Sequence, residues 1–438
     1  MGSPLDMAQL GALIDEHLDD ACELAEQRGG SLWPRRRVAL ARLSACGDPQ
    51  EGFVWYRCDG CGVDRVVGTS CKTRLLCPRC GGRKMASTAV HLVERVLPDQ
   101  KLRQWVSTFP QPLPRLLAWR PEVLGTLLSD LAVVVEADLR RRTGEPRGRA
   151  GMVSSIQNFT GDLRLFVHIH SLVPDGVFVE SGGVVRFVQA PTPTAADIQR
   201  VAAELAARVY RSTERWRRRL EATQGDLANQ LLEQLARLGQ EMVGLGPRPK
   251  AERPDARQRR WIGRHEGVEV HLGVTVRRGD AHGRERLARY ISRPALCLKR
   301  IEREEDGRIL IRFKQPWRNG TLGIRLNPAV FLLRIATLMP PPRVNLTRYH
   351  GVFAAASPIR SRVIPKPPKA PVSRPAGGWI LWRHLTFHSF GRRPDHCPFC
   401  GEKMTRMGTL QGRGRAAHLL RWIEAFGDWI HNEPDRPP

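Results

Sequence analysis

Two histidines, one tyrosine and a set of paired cysteines are the side chains of this sequence whose spacing could do chemistry. His168 and His170 lie in Val167-His168-Ile169-His170-Ser171. Side chains alternate along a strand, so Leu163, Leu165, Val167, Ile169 and Val173 would share one face, and Arg164, His168 and His170 the other. Two imidazoles at i and i+2 on one sheet face can chelate one cation. Taken alone, the triplet equally describes two polar side chains on a half-wet sheet. A second segment repeats the arrangement, with Val268, Val270, Leu272, Val274 and Val276 on one face and Glu269, His271 and Thr275 on the other. If the two strands are neighbours, His271 could be a third ligand. Gln157, on the strand before the histidine pair, competes for that place. For each, the alternative is a hydrogen-bonded polar side chain.

The tyrosines are Tyr56, Tyr210, Tyr290 and Tyr349. Tyr290 stands in Arg284-Glu-Arg-Leu-Ala-Arg-Tyr290-Ile-Ser-Arg-Pro294, a short helix that follows the His271 strand and ends before Pro294. Arg286 and Arg293 flank it at i−4 and i+3. A phenol with a pKa near ~10 is a poor nucleophile at neutral pH. Guanidinium groups and a metal ion favour the phenolate and neutralise a phosphate under attack. The plainer reading is a tyrosine packed at a helix end.

Three Cys-x-x-Cys pairs occur: Cys58/Cys61, Cys77/Cys80 and Cys397/Cys400. They suit metal thiolates in a reducing compartment better than disulfides. Cys58-x2-Cys61-x15-Cys77-x2-Cys80 has the spacing of a four-thiolate zinc ribbon, with a hairpin through Val66, Val67 and Gly68 between the pairs. Cys71 is a fifth thiol able to replace one of the four. A closed site of this kind supplies folding energy and no catalysis. Arg65, Lys72, Arg74, Arg79, Arg83 and Lys84 give the module a basic surface suited to nucleic acid. Cys397 and Cys400 make half of a second zinc site. His384 and His388 would complete it from one helix face; His396 is a rival, and so is a knuckle without metal.

The chain of 438 residues carries 70 Lys and Arg against 44 Asp and Glu, a net charge of +26 and a pI near 10.8. With 41 % hydrophobic residues it can build a core, which disfavours wholesale disorder. No run approaches a membrane span, and the acidic N-terminus lacks an export pattern. A cytoplasmic protein with a polyanionic partner, nucleic acid first, is the expectation. Trp216, within Arg215-Trp216-Arg217-Arg218-Arg219, and Trp261 are aromatic side chains among arginines that could stack unpaired bases; core packing is the alternative.

The elements expected to position these residues are of mixed type. Residues 6 to 45 read as two helices, with Leu10, Leu13, Ile14 and Leu18 on one stripe. A strand at 103–109 and a long helix at 121–142 precede a hairpin, 151–159 and 162–173, turning at Thr160-Gly161. Thr194 and Asp197 form a capping box for a helix bearing Ile198, Val201, Leu205 and Val209. A further helix is expected at 226–243, a Pro/Arg-rich linker at 246–260, a strand at 268–276, the Tyr290 helix at 281–293, strands near 308–313 and 322–326, and a helix at 329–338. An extended linker at 357–378 and a last helix at 415–431 close the chain.

With those blocks in place, the sequence resembles the rolling-circle transposases of the HUH nuclease superfamily, of the insertion-sequence-common-region type. The resemblance rests on Ser70-Cys-Lys-Thr-Arg-Leu-Leu-Cys77-Pro-Arg-Cys80, on Ile156-Gln-Asn-Phe159 with Val167-His-Ile-His170, on Leu287-Ala-Arg-Tyr290-Ile-Ser-Arg-Pro294, and on Arg348-Tyr-His-Gly-Val-Phe-Ala354. It implies an α+β fold, with a central antiparallel sheet in an HUH-type nuclease domain, packed helices, an N-terminal zinc ribbon and a C-terminal Cys-pair tail. The implied boundaries are 1–50 for a helical segment, 51–95 for the zinc module, 96–345 for the nuclease and 346–438 for the linker and Cys-pair region. It further implies that Tyr290 attacks a DNA phosphodiester, leaving a 5′-phosphotyrosine and a free 3′-OH, with Arg293 beside it. His168 and His170 would hold Mg²⁺ or Mn²⁺, structural Zn²⁺ would fill the thiolate module, and the partner would be single-stranded or hairpin DNA ends, with a homodimer as one arrangement. Some relatives carry two tyrosines four residues apart on this helix; here Arg286 and Pro294 occupy the flanking positions, which suits the single-tyrosine branch. A replication initiator or relaxase of the same superfamily, and a non-catalytic zinc-ribbon DNA-binding protein, are the competing readings.

Overall fold

The computed structural model describes residues 4–27, 34–73, 76–111, 113–224, 260–316, 320–366, 396–426 and 429–431. The first elements are α1 (Met7–Gln27), α2 (Pro34–Ser44), β1 (Gly52–Cys58), β2 (Asp64–Gly68), α3 (Pro78–Arg95), β3 (Leu102–Thr108), α4 (Leu113–Trp119) and α5 (Pro121–Thr143). Then come β4 (Gly151–Phe159), β5 (Leu165–Pro174), β6 (Gly176–Ser181), β7 (Val184–Gln189), α6 (Ala195–Gln224), β8 (Ile262–His265), β9 (Val268–His271), β10 (Thr275–Val276) and α7 (Ala281–Ile291). The chain continues through β11 (Ile301–Arg303), β12 (Ile309–Arg312), β13 (Gly323–Leu326), α8 (Pro328–Thr337), β14 (Thr347–Gly351), α9 (Arg360–Val363), β15 (Met404–Gln411), α10 (Arg413–Phe426) and β16 (Trp429–His431). The helix expected at 226–243, most of the 246–260 linker, and His384 and His388 lie outside the described residues.

The fold is α+β. A central sheet of seven strands runs in the order β14-β4-β5-β3-β9-β8, with β10 beside β3, and its pairings are antiparallel. Strand alternation sorts its side chains onto two covered faces. On one, Trp105, Ile156, Val167, Ile169 and Val173 pack with Leu127, Leu131 and Val135 of α5 and Ile198, Val201 and Leu205 of α6. The start of α6 is the expected capping box: Asp197 N–H donates to Thr194 Oγ1 at 3.1 Å, and Thr194 N–H to Asp197 Oδ2 at 2.9 Å. On the other face, Val153 and Leu172 pack with Leu92 and Val96 beside Leu287, Ala288 and Ile291. That face holds the histidines, and α3 and α7 lie over it side by side.

The strand expected at 268–276 is interrupted. β9 stops at His271, and β10 resumes at Thr275 against β3. Asp280 caps α7 by accepting from Gly283 N–H at 2.7 Å. The helix ends at Ile291, two residues short of the expectation, because a residue before proline avoids helical backbone and Arg293 precedes Pro294.

Two further layers tie the chain ends to this centre. Leu10, Leu13 and Ile14 of α1 pack with Phe331, Leu332 and Ile335 of α8 and with Phe159 and Leu163 at the β4–β5 turn. A second sheet has the order β15-β1-β2-β16, covered by Ala416, Leu420 and Ile423 of α10. Its outer strands come from the C-terminal region, so 51–95 and 346–438 do not fold as separate pieces. Residues 347–351 belong to the central sheet, past the boundary expected at 345.

Candidate active site

Gln157, His168 and His170 meet on the α7 side of the sheet. Gln157 stands directly opposite His168 in the β4–β5 ladder, and Ser155 opposite His170. The two imidazole rings are 4.9 Å apart between centroids. Both lie under α7 and are poor in water contact. Burial pushes the pKa of His168 below its ordinary value. Burial, the His168 ring and the Arg293 guanidinium drive that of His170 down to about 3. Both rings are therefore neutral at physiological pH, which is the state a metal ligand needs.

The second nitrogen of each ring is already engaged. His168 Nδ1 faces the Phe166 carbonyl oxygen at 3.1 Å, and only a protonated Nδ1 can donate there, which leaves a lone pair on Nε2. His170 Nδ1 lies 2.7 Å from the side-chain amide of Gln104 on β3. His170 Nε2 is buried without a partner, as is Gln157 Oε1. The Gln157 amide nitrogen donates to the carbonyls of Ile291 at 3.0 Å and Tyr290 at 3.2 Å. That assignment turns its oxygen away from α7, and Ser155 Oγ adds a bond to the Ile291 carbonyl at 2.7 Å. A cation would satisfy both atoms, provided the His170 proton sits on Nδ1. Gln157 and the two histidines fit a divalent ion of mixed nitrogen and oxygen preference.

His271 does not join them. It pairs in register with Val106, and Val106 with His170, so β3 stands between the two histidines. Two interstrand steps are about 9.6 Å, whereas nitrogen–metal bonds are about 2.1 Å. The His271 ring is turned toward Gly273, where a Cβ would sit 2.8 Å from Nε2. The expectation of His271 as third ligand is thus corrected: its strand lies in the right sheet but one strand too far away.

Tyr290 projects from the last turn of α7 over this pocket. Its ring meets His170 edge-on at 5.6 Å, and the residue is 42 % exposed, so the side chain is open to solvent. Arg293 lays its guanidinium 4.8 Å from the Tyr290 ring centroid and 5.5 Å from that of Phe159. Its Nε is buried without a partner. Tyr349 is on β14, half-buried among the side chains under α3, and burial raises its pKa, which makes it a poor nucleophile. Trp216 and Trp261 both pack against the core, with Arg120 and Arg260 over their outer faces at 6.0 and 5.0 Å.

The thiols form two groups, and their membership corrects the expected ribbon. Cys46, Cys71, Cys77 and Cys80 converge in one, and Cys58, Cys61, Cys397 and Cys400 in the other. Cys46 and Cys71 flank the base of the β1–β2 hairpin, where Thr69 N–H donates to Gly52 O at 2.8 Å, while Cys58 and Cys61 form its tip. A seven-residue strand spans about 23 Å, so the tip cannot reach Cys77 and Cys80 at the base. In the first group Cys77 is the N-cap of α3, and Sγ–Sγ separations are 3.4 to 3.7 Å. Cys46 has no Cys-x-x-Cys partner, which is why spacing missed it. Gln104 was missed because no metal spacing marks a residue that touches only a ligand's far nitrogen.

Comparison with known families agrees with this layout. A family model described as "Putative transposase" matches residues 151–360, which include the histidine strand, α7 and β14. A second, the transposase zinc-binding domain of the IS91 type, matches residues 14–109. No curated protein and no solved structure matches the chain. The protein is a transposase, an enzyme that acts on DNA. It belongs to the IS91 family of insertion-sequence transposases, whose zinc-binding domain and cysteine clusters suit structural zinc. Among the described residues no helix is long and apolar enough to cross a membrane.

Proposed function

We propose that this transposase cuts and rejoins single-stranded DNA through Tyr290, as the nicking and strand-transfer enzyme of rolling-circle transposition. The observation that carries the reading is an accessible Tyr290 ring standing edge-on to the buried His170, with the His168 ring beside it and both imidazoles held below their ordinary pKa. The Tyr290 oxygen attacks the scissile phosphorus, forms a 5′-phosphotyrosine and releases a 3′-OH. Attack by that 3′-OH, or by another, on the phosphotyrosine restores a phosphodiester and frees the phenol. Arg293 places a fixed positive charge beside the phenol and the transferring phosphate.

His168 Nε2, His170 Nε2 and Gln157 Oε1 would hold a Mg²⁺ or Mn²⁺ ion, which supplies Lewis acidity toward a phosphate oxygen. The Gln104 amide nitrogen lies 2.7 Å from His170 Nδ1; with that amide turned over, its oxygen would accept from Nδ1–H and leave the Nε2 lone pair to the cation. Gln157 also ties the pocket to the end of α7 through the Tyr290 and Ile291 carbonyls, so nucleophile and cation share one rigid support.

The test incubates wild type and Tyr290→Phe with Mn²⁺ and a labelled single strand from the element end, followed by denaturing electrophoresis. A covalent adduct is expected that disappears in the variant and with chelator. An adduct that persists in Tyr290→Phe moves the nucleophile elsewhere. No adduct from a zinc-loaded wild type leaves DNA binding without covalent chemistry.

A further inference from the structure

We infer that Cys58, Cys61, Cys397 and Cys400 bind a second zinc ion, and that this ion clasps the C-terminal segment onto the N-terminal module. The first thiolate group lies wholly within the segment matched by the transposase zinc-binding domain, and this one does not. Two of its ligands fall inside residues 14–109 and two stand beyond residue 395.

The geometry is that of a preformed tetrahedron. Cys58 and Cys400 sulfurs are 3.4 Å apart, Cys61 and Cys397 3.6 Å, and Cys61 and Cys400 3.6 Å. Four sulfurs at about 2.3 Å from one zinc stand about 3.8 Å from each other, whereas a disulfide needs about 2.05 Å. The two halves are copies of one backbone device. In Cys58-Asp-Gly-Cys61-Gly62, Gly62 N–H donates to the Cys58 carbonyl at 3.1 Å; in Cys397-Pro-Phe-Cys400-Gly401, Gly401 N–H donates to the Cys397 carbonyl at 3.0 Å. Gly62 and Gly401 take φ of +74° and +76°, the left-handed conformation that lets each loop curl its second thiol inward. Each loop closes a turn, Cys58 N–H donating to Val63 O and Cys397 N–H to Glu402 O. Two such knuckles facing each other make a zinc ribbon, here assembled from opposite ends of the chain.

The ion would add to the strand pairing that holds the tail, β15 on β1 and β16 on β2, with Ala416, Leu420 and Ile423 of α10 over the sheet. The contact beside the knuckles is a small cluster of Cys58, Cys397, Met404 and Tyr56. The strand pairing of β15 on β1 brings Met404 opposite Cys58. Cys61 and Cys397 are 336 positions apart, so an ion shared between the knuckles closes a loop that contains the whole nuclease sheet. Cys61 and Cys400 are exposed, while the first group has two buried thiols and two half-buried ones. The clasp should therefore release its ion to a chelator first.

The test counts metal and then asks what it holds. Elemental analysis of the purified full chain should give two zinc per protein, and Cys397→Ser/Cys400→Ser should give one. A specific protease site inserted within residues 367–395 then lets the tail be cut free of its peptide link. The tail should co-elute with the rest of the chain at two zinc and leave it at a lower urea concentration in the double variant. Graded chelation of the cut wild type should lower the urea concentration at which the tail leaves, at loss of the first zinc equivalent, an arm that does not depend on the variant folding. One zinc in the wild type, iron in place of the second zinc, or a tail whose release by urea is unchanged after the first equivalent has gone would each overturn the inference.

Discussion

Replacing Gln157 with alanine should separate two functions that the structure joins in one side chain. Its amide nitrogen makes two hydrogen bonds to the end of α7, at 3.0 and 3.2 Å. Each such bond contributes about 0.5–1.5 kcal/mol net. The Ile291 carbonyl keeps its bond from Ser155, so the loss should fall near the lower end, about 1–2 kcal/mol. Its amide oxygen is the third donor of the proposed cation pocket. Even outer partners of metal ligands are worth about 10–100-fold in affinity, so deleting a direct donor should weaken Mn²⁺ at least tenfold. Calorimetric Mn²⁺ titration measures the second effect, and urea unfolding in chelator measures the first free of metal. His271→Ala is the control, with Mn²⁺ affinity unchanged. Loss of Mn²⁺ binding in His271→Ala with retention in Gln157→Ala would refute the register argument and return His271 to the ligand set.

Other perturbations follow from the same geometry. Because His168 and His170 are held below their ordinary pKa, His170 at about 3, the unfolded chain takes up protons that the metal-free folded chain refuses. Their contribution to stability is full above the unfolded value near ~6.5 and is lost as pH falls toward about 3; the urea midpoint should drop over that window, and less steeply in His170→Gln. Arg293→Ala should slow adduct formation by about 10²-fold while tightening Mn²⁺ slightly, since its charge repels the cation as it does the protonated histidines; single-turnover assays and titration check both. Cys77→Ser should remove one zinc and, through the N-terminus of α3, speed amide exchange in α3 and in the α7 helix packed on it. Binding to a single strand should weaken linearly in log–log salt titration, as a chain of net charge +26 requires.

The elements that announce themselves locally were legible in the sequence. The α5 helix, the β4–β5 hairpin, the Thr194–Asp197 cap and the Tyr290 helix each follow from periodicity or from a capping residue within a few positions. Alternation alone placed His168 and His170 on the polar face. What alternation cannot give is strand order. Because β3 pairs on one side with β5 and on the other with β9, His271 lies on the expected sheet but two strand steps from His170. The cysteines failed for a related reason. Spacing along the chain joined Cys58/Cys61 to the next pair, but a hairpin carries its tip away from its base. The true partners of that tip lie beyond residue 395, a distance no local pattern spans. Sequence offers Gln157 only as a competitor, because an amide oxygen by itself carries no metal signature.

The interleaving of the two ends also sets an order of events during synthesis. β1, β2 and the first knuckle leave the ribosome long before β15, whose pairing with β1 completes their sheet. With 336 residues still to come and elongation at about 5–20 residues per second, the wait is roughly 20–70 s. Throughout it β1 presents an open edge and Cys58 and Cys61 stand as a two-thiol half-site, free to take another chain's strand or another protein's metal. A copy of the element truncated by a late stop codon would keep every side chain of the proposed active site and still lack the strand that completes this sheet.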